Sequence, residues 1–154
     1  MSTVPDISGK VTVSVPVERA FRVFTSSFGS WWPRDYHYGQ AEMAEAILES
    51  GEGGRWFERG VDGSERDWGR VLVWEPPQRL VVTWQTNGQG QYDPDPDHAS
   101  EIEVRFTADG PEQTVVELEH RHLDRLAGGD AIRGMIVSGG GWTAILELFA
   151  NAVQ

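Results

Sequence analysis

DWGRVLVWEPPQRLVVTW at residues 67–84, preceded by GGRWFER at residues 53–59, is the stretch that decides the fold of this chain. Apolar and aromatic side chains recur at alternate positions in these runs, which is the period of a β-strand. Pro76 and Pro77 divide the longer run into two strands, because proline cannot donate to a strand ladder and favours corners. The alternation predicts a sheet face that carries several tryptophans with polar interruptions. Such a face suits a ligand cavity better than a plain core.

The remaining patterns predict one α+β unit made of a strand, a helix, a six-stranded meander and a C-terminal helix. An apolar stripe over 17–28 predicts the first helix, which Gly29 is expected to end, and a short turn or helical piece follows at 30–33. Asp130 is expected to cap a short helix that reaches Val137, and residues 142–152 predict a last amphipathic helix. The predicted strands cover 11–15, 42–49, 54–61, 67–74, 79–85, 101–108 and 114–122.

Two of these strands have one apolar face and one charged face, which is typical of antiparallel strands with one side in water. A register slip of one residue would bury their charges, so the pattern fixes which face points inward. His120 continues the apolar face of its strand. The residues predicted to face inward are Ile102, Val104, Phe106, Val116 and Leu118, and Glu103 and Glu117 are predicted to face outward.

The composition argues against several classes of protein. The 154 residues suffice for one domain, which we assign to residues 1–154. The net charge of -11, from 24 acidic and 13 basic residues, argues against a nucleic-acid or anionic-membrane partner. The sequence contains no Cys, which excludes disulfides and thiolate chemistry. Neither a signal peptide at residues 1–10 nor an apolar run of about 18 residues is found, so we expect a cytoplasmic protein.

Five segments carry a resemblance to a known family: FGSWWP (28–33), GGRW (53–56), DWGRV (67–71), WEPP (74–77) and VELEH (116–120). With the element order, they resemble the START-like helix-grip (SRPBCC) superfamily of the birch pollen allergen, in the branch of homologues of the heat-shock-protein-90 ATPase activator. The resemblance covers residues 10–153, and GGR and WEPP are typical of bacterial members. It implies a seven-stranded, curved antiparallel sheet wrapped around a C-terminal helix, with two short helices after the first strand and a hydrophobic cavity between sheet and helix. The final helix here has only about a dozen residues, which bears on the volume of that cavity.

Tryptophan side chains are the predicted walls of the cavity, because an indole ring supplies broad apolar contact and one N–H donor. Trp31 and Trp32 are adjacent, so we expect at most one of them to face inward. The alternative is that several tryptophans belong to an ordinary core. The predicted wall residues are Trp32, Trp56, Trp68, Trp74, Trp84 and Trp142.

Glu58 and His120 are the polar side chains predicted on the inner face, and Arg70 is a third candidate on the Trp face of its strand. Charged groups among buried rings are costly unless they are paired or wet, and such positions are often functional. They could hold a polar ligand group or act as acid and base on a bound substrate. The alternative is a structural hydrogen-bonded pair, or a position at a wet cavity mouth.

No metal site and no cofactor are predicted. DPDPDH at residues 93–98 imitates the alternating acids of a calcium loop, but His98 stands where that loop needs glycine and Val104 where it needs glutamate. We interpret this segment as a stiff, acidic gating loop. His120 and His122 are expected on one strand face, without a further His or Cys nearby in sequence. His37 is interpreted as a loop or entrance residue.

The leading hypothesis is a non-enzymatic protein, monomeric or homodimeric, that holds a small apolar, aromatic or lipid-like molecule between the sheet and the helix of Trp142. A second hypothesis follows from the resemblance, since the superfamily contains polyketide cyclases and aromatases: an enzyme that uses Glu58, His120 or Arg70 as acid and base. A third, a co-chaperone-like interaction module, rests only on the name of the branch, and the co-chaperones carry a further N-terminal domain that we do not find in this sequence.

Overall fold

The computed structural model describes residues 6–33, 41–87, 91–126 and 128–153. Short 3₁₀ turns lie at Pro96–His98 and Leu123–Arg125. The helices are α1 (Val17–Thr25), α2 (Phe28–Trp31), α3 (Gly129–Ser138) and α4 (Gly141–Val153). The strands are β1 (Ile7–Val13), β2 (Met43–Leu48), β3 (Arg55–Gly60), β4 (Glu65–Glu75), β5 (Arg79–Trp84), β6 (Ser100–Ala108) and β7 (Thr114–Arg121).

The seven strands form one antiparallel sheet in the order β1-β7-β6-β5-β4-β3-β2. The sheet is curled into a half-barrel around the C-terminal helix, so the predicted α+β helix-grip fold is confirmed. Gly9 of β1 shows how closely α4 approaches the sheet, because a Cβ at that position would lie 3.0 Å from the backbone nitrogen of Thr143. The first strand starts at Ile7, earlier than the alternation at 11–15 predicted.

The predicted inner face of β6 and β7 is confirmed, since its five apolar side chains are at most 3% exposed. Glu103 lies on the opposite face, as predicted. It is nevertheless only 8% exposed, because Arg79 and Arg121 on the neighbouring strands bond to its carboxylate. Burial alone would raise the pKa of Glu103, but the hydrogen bonds from Arg121 and Arg79 lower it to about 2. The charged face is thus held together by a network of ion pairs.

Gly29 does not end the first helix, and that prediction is wrong. α1 ends at Thr25, and Gly29 lies inside the separate one-turn helix α2. A Cβ at Gly29 would come 2.7 Å from the carbonyl oxygen of Ala46, so glycine is required there because α2 lies against β2. Gly29 allows the backbones of two elements to approach closely. A glycine that ends a helix could occupy the same position in the sequence, so the sequence alone does not distinguish the two roles.

A bulge in β4 changes which side chains face the interior. Trp68 and Gly69 together oppose Trp56 of β3, because the register shifts between Trp56 and Phe57. Gly69 fits this place because a Cβ there would come 1.9 Å from the carbonyl oxygen of Thr83 on β5. The alternation along β4 is therefore displaced by one residue after Trp68.

A second irregularity lies further along the same strand. The pairing with β5 shifts between Val71 and Val73, and Leu72 between them is 43% exposed. Trp74 then pairs with Leu80, whose side chain is buried in the core. Trp68 and Trp74 lie an even number of positions apart, which would place both on one face of a regular strand. Because two bulges lie along this stretch, the regular alternation does not hold.

The two C-terminal helices are separated by the predicted glycine run. Gly140 and Gly141 have φ angles of 99° and 70°, a left-handed conformation that glycine adopts without strain. Within the described residues, no single helix is long and apolar enough to cross a membrane. The helices α3 and α4 would together have the length and composition of a membrane span, but they bend by 52° at this break. Asp130 lies in the first turn of α3, whose N-cap is Gly128.

Candidate functional site

Five tryptophans from different elements form one continuous cluster inside the molecule. Each is at most 6% exposed, and neighbouring ring centroids lie between 5.3 and 6.4 Å apart. Four of these six ring pairs meet edge to face, which is a favoured geometry of aromatic pairs, and the other two are tilted. We call this set the Trp cluster: Trp32, Trp56, Trp68, Trp84 and Trp142.

Trp31 and Trp32 are both inside, so the expectation that at most one of them faces inward is wrong. Trp31 packs on Phe24 of α1 and Phe149 of α4, and its indole N–H donates to the carbonyl oxygen of Val23 at 3.2 Å. Trp32 belongs to the Trp cluster, and its ring meets that of Trp31 edge to face at 6.1 Å. Both side chains are interior because the one-turn helix α2 packs against the sheet, α1 and α4.

Aromatic side chains fill the space between the sheet and α4. The cavity that remains there has a volume of about 20 Å³, whereas ligand pockets in proteins usually measure about 300–1,000 Å³. Among the described residues, the interior therefore has the composition of the predicted cavity but leaves little free space at this place. The residues that line it are Phe24, Phe28, Trp31, Trp32, Leu48, Trp56, Leu80, Val82, Ile102, Val104 and Trp142.

Trp74 lies away from the Trp cluster. Its ring meets Phe21 of α1 edge to face at 5.2 Å. With Phe21, Pro76 and Pro77 it lines an open surface groove of about 340 Å³. Its predicted place in the wall of a common cavity is wrong, because its ring packs on Phe21 of α1 at this surface groove.

Glu58 is 2% exposed, and Trp68 donates its indole N–H to the Oε1 atom of that carboxylate at 2.9 Å. Glu58 also lines a polar pocket of about 230 Å³ at the β3–β4 turn, together with Ser64 and Arg66. Glu58 thus lies between the Trp cluster and a polar recess, which is where an acid or base could reach both a buried substrate and water.

His120 is completely buried and is part of a hydrogen-bonded chain that joins α4 to three strands. Trp142 of α4 donates its indole N–H to Nδ1 of His120 at 3.2 Å, so the ring proton of the neutral imidazole must be on Nε2. The Nε2–H group then donates to Oγ of Ser100 at 2.8 Å, and Ser100 donates to the carbonyl oxygen of Trp84 at 3.4 Å. Every donor in this chain has an acceptor.

Burial lowers the pKa of His120 to about 3, because a charged imidazolium would lose its hydration in the aromatic interior. Both ring nitrogens are engaged in fixed hydrogen bonds. His120 is therefore neutral at physiological pH, and it holds Trp142 and α4 against the sheet. It could act as acid or base only after the bond to Trp142 or Ser100 breaks.

Arg70 lies outside the Trp cluster, so its predicted position on the inner face is wrong. Its guanidinium bonds to Asp67 at 3.1 Å, and it lies 5.5 Å from the centre of the Tyr92 ring. The physical reason is the bulge at Trp68 and Gly69, which turns the next residue of β4 to the outer face.

The acidic segment at residues 93–98 closes on itself. Nδ1 of His98 lies 2.7 Å from Oδ2 of Asp93, and that contact raises the pKa of His98. His122 follows the end of β7 with a φ of 62°, so it does not share a strand face with His120 as expected. No group of three or more acidic or histidine side chains in the described part of the chain could hold a metal ion. His37 lies outside the described residues.

Comparison with protein families gives one match, to proteins described as activator of Hsp90 ATPase homolog 1-like, over residues 14–154. The chain belongs to this family. The resemblance inferred from the five sequence segments is confirmed. No curated protein matches the chain.

Two solved structures of this fold are also similar in sequence. The anthrahydroquino-gamma-pyrone synthase Txn09 is 41% identical, with 99% of each chain covered and a TM-score of 0.70. CalC, a self-sacrificing resistance protein from Micromonospora echinospora, is 33% identical, with 97% of this chain and 94% of that chain covered and a TM-score of 0.69. Protein NE0264 from Nitrosomonas europaea, at 14% identity and a TM-score of 0.66, shares the fold alone.

Ser100 is one residue of the candidate site that the sequence analysis missed. A signal for it existed, because the turn at 109–113 fixes the pairing of β6 with β7 and sets Ile102 opposite His120. Ser100 lies two residues further along the same face of β6, next to the imidazole. Trp31 was missed for a different reason, since only the packing of α2 between two layers brings it inside.

Proposed function

We propose that this family member binds a flat, fused-ring aromatic molecule with oxygen substituents, of the anthrahydroquinone or γ-pyrone kind, against the Trp cluster. The observation that carries the proposal is the Trp cluster itself, whose five buried indoles come from the residue after α2, from α4 and from the sheet, with neighbouring rings in contact. A flat ring system that replaces the Trp32 ring gains stacked and edge-to-face contacts with the other four indoles at little entropic cost, because those four are already ordered. The similarity to Txn09 supports the ligand class.

The site has to open before such a ligand fits. The ring of Trp32 stacks on Phe28 at 5.1 Å and also contacts Trp56 and Trp142, so it occupies the position in which a flat ligand would make the same contacts. Trp32 follows α2 and has an extended conformation, with φ of -68° and ψ of 133°. It can therefore move without breaking a strand ladder, and we propose that the ligand displaces its ring.

Calorimetric titration with 1,8-dihydroxyanthraquinone tests the binding proposal. We expect saturable binding of one molecule per chain with a Kd of tens of micromolar or below. Trp84→Ala should weaken it at least about tenfold through the loss of buried wall area. Trp74→Phe is the matched control and should bind like the wild type, because Trp74 lies at the surface groove. Absence of saturable binding by the wild type would contradict the proposal.

A second candidate function is closure of a pyrone ring on the bound aromatic molecule, which the 41% identity to a pyrone synthase favours. In such a step a phenolic oxygen adds to a ketone carbon of a side-chain diketone, and its proton passes to the ketone oxygen to give a hydroxyl. That hydroxyl then leaves with a proton from the neighbouring CH₂ group as one molecule of water. Among the three candidate acid–base residues, Glu58 is the one that is both inside and next to a polar recess, so we assign the proton transfers to its carboxylate.

Glu58→Gln separates this enzyme from a binding protein. The amide keeps the shape and can accept the Trp68 hydrogen bond, so ligand affinity should change little. Turnover of a phenolic diketone, followed by mass spectrometry as the loss of one water, should fall about 10²–10⁴-fold if Glu58 is the general base. Wild-type turnover that is retained in this variant would exclude Glu58 from the reaction.

A further inference from the structure

Trp56 carries a buried hydrogen-bond donor that has no acceptor among the described residues. Its ring is 3% exposed and packs against Phe28, Trp32, Trp68 and Trp84. Its Nε1–H group is buried and has no hydrogen-bond acceptor among the described residues. A buried N–H without an acceptor is rare, because burial removes the water that would otherwise bond to it.

Other indoles of the same interior have acceptors. Trp31 donates to the carbonyl oxygen of Val23, Trp68 to the carboxylate of Glu58, and Trp142 to the imidazole of His120. The fold thus provides acceptors for donors around the cavity, some of them from other elements. Trp56 lines that same cavity and is the exception among these four.

We infer that the Trp56 N–H group donates a hydrogen bond to a carbonyl oxygen of the ligand and selects quinones and pyrones over hydrocarbons of the same shape. The inference rests on the proposed function, since it assigns the polar contact within the same site. An indole N–H is a neutral donor and cannot accept, so it matches an acceptor and not a hydroxyl group that donates or a cation. A carbonyl oxygen is the acceptor that quinone and pyrone rings share.

Affinity measurements with a matched pair of ligands test the inference. Xanthone is a tricyclic γ-pyrone, and xanthene has the same ring skeleton without the carbonyl oxygen. We expect the ratio of xanthone affinity to xanthene affinity to fall about 5- to 10-fold in Trp56→Phe, which is the scale of one net hydrogen bond. Trp31→Phe is the control for ring truncation at the same cavity. It should change both affinities alike and leave the ratio unchanged, because the Trp31 N–H is bonded to Val23.

A second measurement needs no variant and covers the case in which Trp56→Phe does not fold. The carbonyl stretching frequency of xanthone bound to the wild type should lie below its value in hexane, because a hydrogen bond weakens the C=O bond. A frequency equal to that in hexane overturns the inference.

The two proposals fail in different ways. If xanthone and xanthene both bind and Trp56→Phe leaves their ratio unchanged, the inference about Trp56 is wrong and the binding site stands. If neither ligand binds the wild type, the proposed function is wrong and the inference fails with it. A ratio that falls equally in Trp56→Phe and Trp31→Phe also overturns the inference, because the loss would then follow from ring size and not from the N–H group.

Discussion

At the scale of single residues, the interior combines side chains that hold the fold with side chains that could be exchanged for a ligand. His120 belongs to the first kind, because its two nitrogens connect α4 to the sheet through Trp142 and Ser100. Trp32 belongs to the second kind, because it lies outside α2 and stacks on Phe28 as a flat ligand would. Two substitutions distinguish these roles.

Trp32→Ala should strengthen binding of a flat aromatic ligand by about tenfold, because the wild type has to displace the Trp32 ring before the site is available. The same change should cost about 3–5 kcal/mol in the free energy of unfolding without ligand, as large-to-small core substitutions do. Titration calorimetry and urea unfolding measure the two effects. If the variant binds more weakly than the wild type, Trp32 is a wall of the site and not the side chain that the ligand displaces.

The depressed pKa of His120 predicts how stability depends on pH. The unfolded chain takes up a proton on this residue below about pH 6.5, whereas the folded chain does so only near pH 3. Stability is therefore lost as the pH falls through 6.5, by about 2 kcal/mol between pH 7 and pH 5. This interval lies above the range of Glu103, whose contribution is lost below about pH 4.5.

Urea unfolding at pH 7, 6 and 5 measures this slope. His120→Gln should be less stable than the wild type at pH 7 and should lose about 2 kcal/mol less between pH 7 and pH 5. His98→Gln is the control. The pKa of His98 is raised by Asp93, so this residue stabilises the fold at low pH and its removal should steepen the fall. An unchanged slope in His120→Gln would show that His120 is solvated in the folded chain.

At the scale of elements, the bulge in β4 decides the composition of the site. It brings Trp68 inward beside Gly69 and turns Arg70 out towards Asp67. The bulge depends on the approach of the Gly69 backbone to Thr83 of the next strand. Without it, the strict alternation would place a guanidinium among the indoles, where an unpaired charge is costly.

Gly69→Ala should lower the free energy of unfolding by about 3 kcal/mol, because the added methyl group would meet the carbonyl oxygen of Thr83. Gly134→Ala is the matched control, since a Cβ at that position in α3 meets no atom within 4 Å. Alanine in an exposed helix interior should raise stability by about 0.5–1 kcal/mol. Equal effects of the two substitutions in urea unfolding would exclude the close approach at Gly69.

At the scale of the whole molecule, the described parts of the sheet, α2 and α4 enclose a cavity of only about 20 Å³. If a ligand binds at the Trp cluster as we propose, it has to wait for an opening of this core. The rate of opening then limits association once the ligand is abundant, which is the kinetic signature of selecting a rarely populated state.

The observed association rate should therefore reach a plateau as the ligand concentration rises. Stopped-flow quenching of tryptophan fluorescence measures this rate, and Trp32→Ala should raise the plateau or remove it. A rate that stays proportional to concentration, with a rate constant near the upper end of about 10⁵–10⁷ M⁻¹s⁻¹, would indicate a site that is already open.

The sequence by itself determined the architecture and the apolar face of the sheet. Alternating charges fixed the inner faces of β6 and β7, turn residues separated the meander strands, and the spacing after the glycine run predicted α4. These signals are local, because a strand or helix with one buried face needs apolar residues at the regular spacing of that element. Five of the six predicted wall tryptophans meet in one cluster, although a bulge brings Trp68 inward and Trp32 lies outside any helix or strand.

Only the tertiary structure decided where the alternation of inward and outward residues is interrupted. The bulge that turns Arg70 outward comes from the contact of Gly69 with Thr83, and the position of Trp31 comes from the packing of α2 between two layers. The free volume was equally hidden, because it is the small difference between the space under the sheet and the summed volume of the rings that fill it. Contacts between residues that are distant in the chain produce no periodic pattern in the sequence, so no local pattern could have predicted them.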